Sequence, residues 1–108
     1  MGQAARQGVG SALVHLIEEE AARRALDEAE SRWEGAYSAW EAATWTVMRD
    51  PLAGKSVTES GKTRAFTYEG ARSIKQPSVT ILYENRGDTT VIHDAFFKEA
   101  PYFQAGRA

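Results

Sequence analysis

The side chains able to do chemistry in this sequence are few and unevenly placed. His93-Asp94 closes a run of mostly β-branched residues, and His15 is the other of the two histidines. An imidazole at His93 set beside Arg64 or Arg72 has the parts of a proton-transfer centre for a phosphodiester. The ring would move the proton, and the guanidinium would stabilise charge building on the phosphate oxygens. The alternative at the same residue is a packed histidine hydrogen-bonded within a hairpin. Two histidines and no cysteine exclude a multi-histidine metal site, a thiolate site, a Cys nucleophile and a disulfide framework. No metal and no cofactor is expected. Gly54-Lys55-Ser56 lacks the upstream glycine of a phosphate loop, because Arg49 stands there, and it follows a helix instead of a strand. Arg86-Gly87-Asp88 reads as turn chemistry.

Charge separates the chain into two halves. Residues 1–50 hold five basic and nine acidic side chains, whereas residues 51–108 hold eight basic and six acidic. Lys55, Lys62, Arg64, Arg72 and Lys75 fall within about twenty residues of one another, dense enough for a basic face toward a polyanion. The same residues would also serve as a solvated strand edge that discourages sheet-to-sheet pairing.

The elements that must position these groups follow from periodicity. A chain of 108 residues, 43% hydrophobic and 26% charged, suits one soluble domain. Residues 1–10 read as a flexible tail and 11–108 as a single domain. No apolar run approaches the roughly 20 residues of a membrane helix, and no signal pattern opens the chain, so a cytoplasmic location is expected. Leu13–Ile17 is either a short strand or a helix start capped by Ser11. From Glu18 the composition is helical, with Ala21, Ala22, Leu26 and Ala29 on one stripe continuing to Trp33. Gly35 breaks the pattern. A second helix, carrying Tyr37, Trp40, Thr44 and Val47, runs to about Arg49 and stops at Asp50-Pro51. The two helices are expected to lie antiparallel, Trp against Trp. After the polar loop 54–62, strands are expected over Thr63–Tyr68, Ser78–Glu84 and Thr89–Ala95, with Asn85–Asp88 as a hairpin carrying Gly87 at positive φ. The expected fold is α+β, an N-terminal helix hairpin packed on a three- to four-stranded antiparallel sheet.

Read in order, Trp33, Trp45-x-x-Met48-x-Asp50-Pro51-x-x-Gly54, Glu59-Ser60-Gly61-x-x-Arg64, Pro77-Ser78-Val79-Thr80-Ile81-Leu82-Tyr83-Glu84 and Thr90-Val91-Ile92-His93-Asp94 form a recognisable series. The series resembles the RelE/ParE family of bacterial type II toxin–antitoxin toxins over roughly residues 18–97. That resemblance implies a RelE-like fold and one of two actions. RelE-like members are ribosome-dependent mRNA endoribonucleases that need no metal, whereas ParE-like members inhibit DNA gyrase. In both, a cognate antitoxin covers the basic face. Carried onto this chain, Arg64, His93 and Tyr102 would be catalytic, with Lys55, Lys62, Arg72 and Lys75 binding RNA. A third reading keeps the fold as a non-toxic interaction domain. Under the ribonuclease expectation, induced expression stops growth and Arg64→Ala relieves the arrest, measured by culture density and viable count.

Overall fold

A computed structural model describes residues 15–101; the proposed 1–10 tail and Tyr102 lie outside the described residues. Five strands and two α-helices occur there. In chain order they are β1 (His15–Glu18), α1 (Glu20–Glu30), α2 (Ala36–Arg49), β2 (Lys55–Ser56), β3 (Thr63–Tyr68), β4 (Ser78–Arg86) and β5 (Thr89–Lys98), with a 3₁₀ turn at Arg72–Ile74. The strands form one sheet in the order β1-β5-β4-β3-β2. The α+β class holds, but the sheet is mixed and has five strands. Two elements account for the difference from the expected antiparallel meander. Residues 15–18 form a strand before the helices and add in parallel to the free edge of β5, with Ile17 opposite Val91. A parallel partner needs a long crossover, which α1, α2 and the remaining strands supply. At the other edge, Lys55 and Ser56 leave the polar loop to pair with Ala65 and Arg64.

Each helix begins and ends for local reasons. Glu20 sits in the first turn of α1, the favourable end of the macrodipole for an acid. Arg23 reaches back to Glu18 at 3.1 Å, and Arg24 pairs with Glu20 one turn earlier. The Ser31 hydroxyl donates to the Glu28 carbonyl at 2.6 Å as the helix closes. Ala22, Leu26 and Ala29 are its buried stripe, while Ala21 is exposed. α2 buries Ala36, Ala39, Trp40, Ala43, Thr44 and Val47.

The tryptophans do not face one another. Trp40 alone is deeply buried: its ring stacks on Phe97 with centroids 6.3 Å apart, and its Nε1–H donates to Glu18 Oε2 at 3.1 Å. Arg32 lies over the Trp33 ring at 4.3 Å, and the Trp33 Nε1–H donates to Glu99. Trp45 points outward, 59% exposed. The small residues on α1 explain the outcome, because Ala22, Ala25 and Ala29 let that helix approach the sheet closely and leave the aromatic bulk to α2 and β5.

One irregularity decides which side chains of β5 meet the helices. Leu82 pairs with Asp94 and Tyr83 with Ile92, so His93 is an extra residue on β5, a β-bulge. Strict alternation would put Ile92 and Ala95 on opposite faces. The bulge lets both join the cluster of Val79, Ile81, Tyr83 and the buried helical residues. Leu82 and Glu84 take the opposite face, away from α1 and α2.

A second constraint ties the end of α2 to the sheet. Asp50 Oδ1 accepts the Leu52 N–H at 3.2 Å, turning the chain at Pro51. The Tyr83 hydroxyl donates to the Pro51 carbonyl at 2.6 Å and accepts the Gly54 N–H at 3.0 Å. The Gly54 carbonyl in turn accepts Arg64 Nε–H at 3.0 Å. Glycine is required at 54, since a Cβ there would stand 2.5 Å from the Ala65 oxygen. At the far hairpin, Gly87 has φ +71°, as expected of the turn. Tyr83→Phe leaves a buried N–H and a carbonyl without their shared partner. It should lower stability by about 1–3 kcal/mol, seen as a lower urea midpoint with an unchanged m-value.

Candidate functional site

The bulge brings His93 out of the core and onto the face away from α1 and α2, where it meets carboxylates from two other segments. Its Nδ1 lies 2.9 Å from Glu19 Oε1, at the entry to α1. Its Nε2 lies 3.2 Å from Glu84 Oε1 on the neighbouring strand. Glu84 is the centre of the group. Its side chain is only 6% exposed, although neither α1 nor α2 packs on that face. The cover is polar: Arg86 Nε and Nη2 donate at 2.9 and 3.1 Å, and Lys62 Nζ lies at 3.7 Å. Glu84 and Arg86 stand two apart on β4, so both side chains leave on one face and form a fork against the carboxylate.

Carboxylates at both ring nitrogens favour the protonated form of His93. A neutral imidazole would turn a lone pair toward one of them, whereas the imidazolium donates to both. The His93 pKa is accordingly raised, first by Glu19 and then by Glu84, against partial burial. Arg86 is the chief group that holds the Glu84 carboxyl down to about 2; burial opposes it, and His93 and Lys62 add to it. The Arg86 guanidinium is raised by Glu84 in return. The assembly is thus an imidazole engaged at both nitrogens by carboxylates, an arrangement that favours its protonated form.

The sequence-derived site residues separate into groups. Lys62 and His93 meet at Glu84. Arg64 is half-buried on β3, opposite Tyr83 in register, and its Nε is spent on the Gly54 carbonyl. Lys55 is exposed on the edge strand β2. Arg72 and Lys75 belong to the other end of the sheet. Arg72 donates to the Ala100 carbonyl at 2.6 Å and pairs with Glu99, while Lys75 pairs with Glu34 at 3.6 Å. Glu99 and Ala100 follow Lys98, which pairs with Ser78; the six steps from Ser78 to Glu84 span about 20 Å of strand. The cations at 55–75 therefore do not make one continuous face. Tyr102 lies outside the described residues. Glu19, Glu84 and Arg86 were missed in the sequence. The signal for the last two was their i, i+2 spacing on one strand across from a histidine; nothing local pointed to Glu19.

Among the described residues, no group of three or more His, Asp or Glu side chains could hold a metal ion. No helix there is long and apolar enough to cross a membrane. Compared with models of known protein families and with curated proteins, the chain matches none.

The two shifted groups give opposite pH dependences. Glu84, lowered from 4.5, contributes stability that is present above pH 4.5 and is lost as pH falls toward about 2. His93, raised from 6.5, contributes stability that is full below pH 6.5 and is lost as pH rises through its elevated value. The melting-temperature gap between wild type and His93→Gln should be widest between pH 4.5 and 6.5 and should narrow on either side. Glu84→Gln should move the imidazole titration, followed by NMR, back toward 6.5.

Proposed function

We propose that this chain is a toxin-type protein of the RelE/ParE kind, neutralised by a small antitoxin, which acts by binding a protein target such as DNA gyrase. The resemblance in sequence supports the class. It gains support from the contact between its motifs, since Asp50-Pro51-x-x-Gly54, Arg64 and Tyr83 meet in one hydrogen-bonded corner.

The observation that carries binding over cleavage is His93 between Glu19 and Glu84. A ribonuclease needs a base for the attacking hydroxyl and cations free to hold the phosphate. Here both imidazole nitrogens are already engaged by carboxylates. Arg64 serves a backbone carbonyl, and Lys62 and Arg86 are drawn toward Glu84. The ribonuclease reading keeps one observation of its own: Lys55 is exposed and Lys62 largely so, and a phosphate arriving beside them would compete with Glu84 for Lys62.

Expression of the full chain without an antitoxin separates these readings. Binding to gyrase predicts growth arrest with a DNA-damage response and intact mRNA, and His93→Gln retains the arrest. Ribosome-dependent cleavage predicts truncated mRNA and loss of arrest in His93→Gln at equal protein level. A harmless wild type removes both. Arg64→Ala is a poor discriminator, because it also cuts the bond to Gly54; Arg64→Lys with a melting curve is the proper control.

A further inference from the structure

The solvent face of α2 carries a stripe that the proposed function leaves unused. Tyr37, Glu41, Trp45 and Arg49 recur every four residues, and all four are exposed. Tyr37 is 50% and Trp45 59% exposed, and Leu52, just beyond the helix, is 71% exposed. Single exposed apolar residues are ordinary on protein surfaces. Two aromatic ones on a single helix face, with a third large apolar residue just past the helix end, are less so, and a tryptophan kept outward loses much of the hydrophobic stabilisation that burial would give. Around Trp45 the surface forms a shallow, open depression lined by Ser38, Glu41, Ala42, Trp45 and Arg49.

The order of charges along the stripe selects the occupant. Glu41 stands one turn before Trp45 and Arg49 one turn after it, each about 6 Å along the axis. Among the described residues neither makes an ion pair. An antiparallel copy of the same helix, related by a two-fold axis through Trp45, places each Glu41 opposite the other chain's Arg49. Such a contact is isologous, so one sequence satisfies both sides. Each Trp45 then enters the depression beside its counterpart, flanked by the small Ser38 and Ala42. Tyr37 comes opposite the Leu52 end of the partner helix. We infer that this face of α2 binds a second copy of the chain through a Trp45-centred antiparallel helix pair locked by reciprocal Glu41–Arg49 contacts. The stripe is one helix wide, which puts the buried area at the small end of specific interfaces, below about 1,200 Å². The dimer is correspondingly weak, with a Kd on the order of 10–100 µM.

Sedimentation velocity of the full chain from about 1 µM to about 500 µM brackets that range. The wild type should pass from monomer to dimer, and Trp45→Ala should remain monomeric while keeping its melting temperature, because the ring is outside the core. Glu41→Arg and Arg49→Glu should each weaken association at least about tenfold, by placing like charges opposite one another. The double variant E41R/R49E should restore it, because exchanging both charges re-forms both pairs. A wild type that is monomeric throughout, or a dimer that Trp45→Ala leaves intact, overturns the proposal. A double variant that fails to recover overturns the register.

Discussion

The packing of the last strand depends on a single added residue. With His93 inserted opposite the Leu82–Tyr83 step, Ile92 and Ala95 both point beneath the helices. Without it, the strand would present one of them to solvent and bury a polar neighbour in its place. The insertion thereby joins two jobs that are usually separate. It completes the apolar layer on one side, and on the other it pushes an imidazole against the carboxylate of the adjacent strand. The polar cluster is therefore the outer side of a packing solution, and its geometry is as fixed as the core behind it.

Around that point the structure divides its labour by face. The helix side holds Trp40, Tyr83, Val79 and Ile81, and it is joined to the loop after α2 by the Tyr83 hydroxyl. The other side holds ionic groups that neutralise one another at short range. A carboxylate as enclosed as Glu84 would be costly alone; the Arg86 fork, the His93 ring and Lys62 make it tolerable. Positive side chains that look available in a linear count are in this way largely committed, either to acids or to backbone carbonyls.

How much of this was legible follows from which interactions are local. Thr63–Tyr68 was read with its true bounds, since alternation alone defines it, and Asp50-Pro51 stopped α2 where expected. The strand at His15–Glu18 stayed ambiguous because four residues carry too little period to distinguish strand from helix, and its pairing partner lies far along the chain. The tryptophans were assigned to a common interface because period reports the face of a helix but not what stands opposite it. The bulge was invisible for a similar reason: it exists only relative to a partner strand. The site was half legible. His93 and Lys62 were chosen for their chemistry, but Glu84 was read as the end of a strand, and Glu19 joins only once β1 lies beside β5.

That last pairing bears on how the chain reaches its fold. Glu19 and His93 are separated by 74 positions, and the strand before Glu19 borders the strand that contains His93. The first element thus has no partner until nearly the whole domain has been synthesised. Helices and the β4–β5 hairpin form from nearby residues, whereas closing the sheet at its parallel edge requires bringing distant parts of the chain together. The contact of Glu19 with His93 is therefore available only once β1 has paired with β5.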